Sequence, residues 1–200
     1  MANNQRLTVG AGHRVSLIGF MFVVGAAWAP LAHADSSALS NPRVTFTASS
    51  SNGTKIVGTG TDLKLEVRGP WLIFKVPLST VSTRHEGRDR QMRDRYLEAD
   101  THPAVELRVA REALSLPRGD GLVEGNAKAK LKLHGKARDT MVHYTIERKG
   151  SSLKVTSTFR VDLRLHGIDI PSYRGITVHH DVDVEVAFGS EDRVVVADAE

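Results

Sequence analysis

Between residues 153 and 166 the side chains alternate without a break. Leu153, Val155, Ser157, Phe159, Val161, Leu163 and Leu165 interleave with Lys154, Thr156, Thr158, Arg160, Asp162, Arg164 and His166. A period of two sends the two sets to opposite faces of an extended chain, so the segment predicts a β-strand with one face buried and one in water. Its 14 residues far exceed the ~5–6 of an ordinary strand, which points to a long curved strand of a barrel rather than to a small flat sheet. The pattern returns at residues 176–188, where Ile176, Val178, His180, Val182, Val184, Val186 and Phe188 share one face, and Thr177, His179, Asp181, Asp183 and Glu185 the other. It returns again where Ala127, Ala129, Leu131 and Leu133 alternate with Lys128, Lys130, Lys132 and His134. Shorter versions occur at Val44 and Phe46, at Leu63, Leu65 and Val67, at Val105, Leu107 and Val109, and at Val142, Tyr144 and Ile146. Residues 71–78 are nearly continuous in apolar character, which predicts a strand covered on both faces. About eight antiparallel strands with one consistent apolar face must close on themselves or pack on a second sheet, so the fold class is all-β.

One segment breaks this pattern. In residues 86–98 charged side chains surround Met92 and Tyr96, which stand four apart. That spacing predicts one short helix with a thin apolar stripe, laid across an opening of the sheet.

Charge and cysteine content narrow the function classes. The formal charge is +4, but residues 1–34 hold Arg6 and Arg14 and no acidic side chain, leaving 25 basic against 23 acidic residues in the other 166. A net +2 with no basic stripe and no interleaved aromatics excludes a nucleic-acid interface. The absence of cysteine excludes disulfides, thiolate metal sites and a thiol nucleophile.

The first residues have a purpose of their own. Arg14 precedes an apolar run over residues 15–27, then Pro30, then Ala32-His33-Ala34 directly before Asp35-Ser36-Ser37. This is the layout of a secretory signal peptide cut after Ala34, and the run is shorter than the ~20 residues of a spanning helix. The expected product is a periplasmic or secreted domain, residues 35–200 with a core of about 42–189, that does not span a membrane after cleavage. The tail after Ser190 is charged and valine-containing.

Several blocks then resemble the YceI-like family in order. They are Ser82-Thr83-Arg84-His85-Glu86-Gly87-Arg88-Asp89 with Met92, then Tyr96-Leu97 and His102-Pro103. Leu131-Lys132-Leu133-His134-Gly135 follows, and Phe159 to Leu163 leads into His166-Gly167-Ile168 and Pro171. His166 stands where that family usually carries an aromatic residue. The resemblance covers nearly all of the mature chain. It implies an extended lipocalin-like antiparallel β-barrel, exported from the cytoplasm, whose lumen holds an isoprenoid lipid or quinone for carriage or storage.

A lumen of that kind needs apolar walls and no charged partner, since burial of hydrocarbon supplies roughly 25 cal/mol per Å². The candidate lining is Phe46, Leu63, Leu65, Phe74, Val76, Leu131, Leu133, Phe159, Val161, Val182 and Val184. His180 falls by alternation on the same face, where it would hydrogen-bond a quinone head or a buried partner. His85, Arg88 and Asp89 either tie the helix to the barrel mouth or meet an anionic head group. Adjacent His179 and His180 point to opposite faces, and there is no His-x-His pair and no Gly-x-Ser-x-Gly elbow. A binding protein with no cofactor, no metal site and no catalytic residue is therefore expected. The alternatives are a secreted interaction or stress module with a filled core and, behind it, a His-dependent metal-binding protein.

Overall fold

The computed structural model describes residues 35–37 and 39–191. The expected signal peptide, residues 1–34, and the tail from 192 onwards lie outside the described residues.

The strands are β1 Asp35–Ser37, β2 Ser40–Ser50, β3 Lys55–Gly60, β4 Lys64–Arg68, β5 Trp71–Pro77, β6 Ala104–Ala110, β7 Gly121–Leu133, β8 Lys136–Lys149, β9 Ser152–Asp162, β10 Ser172–Tyr173 and β11 Ile176–Glu191. Nine of them are longer than three residues, one more than the alternation suggested; β1 and β10 are short additions. The order across the sheet is β1-β4-β5-β6-β7-β8-β9-β11-β2-β3, with β10 paired to β11 and every pairing antiparallel. Six consecutive strands form a meander, and the N-terminal hairpin β2–β3 then adds to the far side of β11. The sheet curls until β3 meets the chain leaving β5. There Thr59 and Ser82 exchange amide–carbonyl hydrogen bonds of 2.8 and 2.9 Å, so a single bridge, rather than a ladder, joins the two sides.

Alternation sets the core. On β7, Ala127, Ala129, Leu131 and Leu133 are buried while Lys128, Lys130 and Lys132 are exposed. On β8, Val142, Tyr144 and Ile146 face the same interior. Each buried leucine or valine contributes roughly 1.5–3 kcal/mol relative to an exposed one, which replaces the staples a cysteine-free domain lacks. On β5 both Leu72 and Ile73 are buried, as its continuous apolar run predicts. Trp71, at the start of that strand, is capped by the Arg108 guanidinium 4.0 Å from its ring centroid.

Close packing demands one glycine in particular. Gly58 on β3 lies opposite Phe46 on β2, and a Cβ added there would sit 2.1 Å from the Phe46 ring tip. The ring therefore lies flat on bare backbone. Gly58→Ala is expected to displace Phe46 and cost about 1–3 kcal/mol, read as a lower urea midpoint at unchanged m-value. An unchanged midpoint would show that the ring has somewhere else to go.

Two stretches depart from the strand reading. β9 ends at Asp162, and residues 163–166 turn into a 3-10 helix whose first free amide, that of Arg164, donates to Asp162 Oδ1 at 3.0 Å. With three residues per turn the period of two ends there. Leu163 still faces inward, but Leu165 becomes 55% exposed and His166 is buried, its Nδ1 3.0 Å from the Lys136 carbonyl. The helix α1, Glu86–Gln91, widens into a π-helical turn over Met92–Tyr96, within the range expected for it.

Candidate functional site

The inner faces of the strands enclose a cavity of about 610 Å³. β2 contributes Val44, Phe46 and Ala48, the approach to β4 contributes Leu63, and β4 contributes Leu65. Leu72, Phe74 and Val76 come from β5, Leu131 and Leu133 from β7, Val155, Ser157, Phe159 and Val161 from β9, and Val182 and Val184 from β11. Every apolar side chain predicted to line a lumen does so. The rings of Phe74 and Phe188 meet across the interior at 5.5 Å.

Polar side chains collect toward one end. Strand register places the β2–β3 hairpin, the β7–β8 turn, the segment after β9 and the helix at this same end. Ser50, Asn52, Thr54 and Ser172 line the cavity from the hairpin side, and Thr83, Arg88 and Gln91 from the helix side, together with Met92, Tyr96 and Leu97. The predicted helical stripe, Met92 and Tyr96, therefore faces the cavity. Arg88, one of the expected head-group or helix-tying residues, is in the wall, whereas sequence reasoning missed Gln91. It also missed Leu114, Leu116, Ile168 and Pro171, which lie on loops where no period marks an inward side.

A hydrogen-bonded knot holds the helix in place. Asp89 is buried and accepts from Ser82 Oγ at 2.7 Å, from the Thr83 amide at 2.7 Å and from Thr83 Oγ1. Thr83 Oγ1 in turn accepts from Arg88 Nε at 2.7 Å, and Arg88 Nη2 donates to the Thr83 carbonyl at 3.0 Å. Burial alone would raise the Asp89 pKa. The Thr83 and Ser82 hydrogen bonds and the Arg93 charge outweigh it and hold the carboxyl at about 2. His85 caps the helix, its Nδ1 accepting from the Arg88 amide at 3.3 Å. Of the two roles weighed for His85, Arg88 and Asp89, the geometry gives His85 and Asp89 to tying, while Arg88 both ties and borders the cavity.

His180 is a correction. It is absent from the cavity wall, because β11 carries four steps from Val178 to Val182 where β2 takes two from Ser50 to Ala48. This bulge breaks the alternation on which the inward assignment rested. The His180 Nδ1 lies instead 3.1 Å from Asp181 Oδ1 and 3.5 Å from Asp162 Oδ1.

Among the described residues, Asp162, His180 and Asp181 form one carboxylate–histidine cluster, and Glu98, His102 and His134 another. In the first, Arg164 already holds both oxygens of Asp162, at 3.1 and 2.8 Å, and keeps that carboxyl at about pKa 2. Nothing of the kind neutralises the second.

The sequence matches the YceI-like domain family over residues 35–189. No curated protein matches it. Among solved structures it is similar to a polyisoprenoid binding domain from Saccharophagus degradans implicated in plant cell wall breakdown, at TM-score 0.66 and 15% identity, covering 78% of this chain and 97% of that one. It is also similar to BcnA of Burkholderia cenocepacia, at TM-score 0.57 and 12% identity, covering 74% and 96%. At these identities the likeness is one of fold.

Proposed function

The chain belongs to the YceI-like domain family, and from that premise we propose that it binds a polyisoprenoid lipid inside its barrel. The observation that carries this reading is the cavity itself: about 610 Å³ walled by valine, leucine and phenylalanine, within the 300–1,000 Å³ of small-molecule sites. A filled-core module would have closed that space with side chains. The structural likeness to a polyisoprenoid binding domain supports the same choice of ligand.

The slender hydrocarbon chain of an isoprenoid lies along the apolar walls, and its head group rests at the polar end. With His180 outside the cavity, the N–H groups of Arg88 and Gln91 are among the donors there for a quinone carbonyl or a phosphate. The role is carriage or storage, and no turnover is invoked. Organic extraction of the purified protein followed by mass spectrometry tests this. About one isoprenoid per chain is expected, and a protein that yields none, even after incubation with isoprenoid quinone, would overturn the reading.

Export is part of the proposal. The family match begins at residue 35, the first position after Ala32-His33-Ala34. No helix among the described residues is long and apolar enough to cross a membrane. Protein recovered from the periplasm or medium is expected to begin at Asp35 on N-terminal sequencing. A chain retained in the cytoplasm with residues 1–34 intact would refute it.

A further inference from the structure

We propose that Glu98, His102 and His134 form a binding site for a divalent transition metal, zinc being the best match, on the outer side of the barrel's polar end. It is independent of the lipid reading. One candidate ligand atom from each residue lies within 4.8 Å of the other two.

His134 is the central piece. Its Nδ1 lies 3.2 Å from the His166 carbonyl, an oxygen that only accepts, so Nδ1 donates there and Nε2 is the atom left for another partner. That Nε2 is sealed from solvent, has no hydrogen-bond partner, and stands 3.4 Å from Glu98 Oε2. A carboxylate oxygen and an imidazole nitrogen that face each other without a hydrogen bond are held together by a cation between them, a proton on Nε2 or a metal ion. At 3.4 Å the pair is too long for a good hydrogen bond. It matches the edge of a zinc tetrahedron, roughly 3.3–3.4 Å for bonds of ~2.0–2.1 Å. A backbone carbonyl orienting the far nitrogen is the usual support of a metal-bound histidine. The His102 ring stands edge-on to His134 with centroids 4.9 Å apart, which places one of its nitrogens in the set.

The backbone favours the same conclusion. His134 and Gly135 form the two-residue turn between β7 and β8 with φ of +50° and +70°, a turn that selects Asn-Gly. Histidine stands where asparagine is preferred. Gly135 leaves room for His102, since a Cβ there would lie 2.8 Å from its ring. On the other side, the Glu98 carbonyl accepts from the amides of Thr101 and His102, at 2.9 and 2.8 Å, folding residues 98–102 back on themselves at a φ of +47°. Three protein ligands of the His2Glu type leave a fourth position for water, and the exposed Glu98 side chain provides access from solvent.

His134→Asn is the test variant, because it restores the preferred turn residue while removing Nε2. Tag-free protein stripped with a chelator is titrated with zinc by calorimetry, and its cobalt(II) form is examined by visible absorption. Wild type is expected to take one zinc per chain and give tetrahedral cobalt bands. His134→Asn is expected to weaken binding at least about 100-fold and abolish the bands, and Glu98→Gln to weaken it at least about tenfold, with both folds intact. His180→Ala and His143→Ala are expected to change nothing. Absence of stoichiometric zinc in wild type, undiminished binding in His134→Asn, or loss on His180→Ala would each overturn the site.

Discussion

Asp89→Ala is expected to lower the unfolding free energy by about 3–5 kcal/mol, the largest stability loss available from one polar side chain here. The reason is what the carboxylate leaves behind. The Thr83 amide, Thr83 Oγ1 and Ser82 Oγ all donate to it. Once it is gone, buried donors lose their partner, and Arg88 keeps only an unanchored Thr83. For a domain of this size such a loss moves Tm by roughly 10 °C. The bridge between Ser82 and Thr59 connects the two sides of the curled sheet, so the loss should spread beyond the helix and appear as one cooperative shift. Asp89→Asn, which retains one acceptor oxygen, should cost about half as much.

The same residue makes a signed pH prediction. Its folded pKa, about 2, lies below the 3.8 of an ordinary aspartate, so its contribution is fully present above pH 3.8 and is lost as pH falls toward 2. The difference in urea midpoint between wild type and Asp89→Asn should therefore be constant near neutrality and shrink across that acid window. A difference that stays constant down to pH 2, or is absent at pH 6, would remove Asp89 from its place at the centre of the knot.

How much of this was legible in the sequence depends on whether a residue's role is carried by period or by contact. Phe46, Phe74, Leu131 and Val161 could be placed because a strand has one rule, and an unbroken run obeys it. His180 and Leu165 were misplaced for opposite local reasons. A two-residue bulge shifted the first within a strand that continues, and a 3-10 turn ended the strand before the second. Neither leaves a mark on the alternation of side chains. Met92 and Tyr96 were legible as a stripe, but the knot beneath them was not, since Thr83 and Asp89 meet only through the turn that joins them. The Glu98–His102–His134 cluster lies furthest from reach. Its members sit on a helix exit and a hairpin turn, and only the strand register places those at the same end of the barrel.

Val161→Asp is expected to cut bound lipid at least tenfold. Val161 is 6% exposed and forms part of the cavity wall, with Val182 beside it on β11. A carboxylate there has no donor within the apolar wall and must either be buried charged or take up a proton, at a cost of several kcal/mol, each 1.4 kcal/mol being a tenfold loss in affinity. Val184→Asp, on the same face, should act alike. Because such variants also risk the fold, Ala48→Phe supplies the second arm. Ala48 borders the same cavity, and an added ring occupies hydrocarbon space without introducing charge, so the barrel should keep or raise its Tm while losing its ligand. Thr158→Lys on the exposed face of β9, opposite Glu185, should alter neither property. If Val161→Asp and Ala48→Phe fold and still extract with wild-type lipid, the ligand lies outside the barrel. If both come out lipid-free beside an unchanged Thr158→Lys, the apolar face that dictates the fold is also the face that holds the lipid.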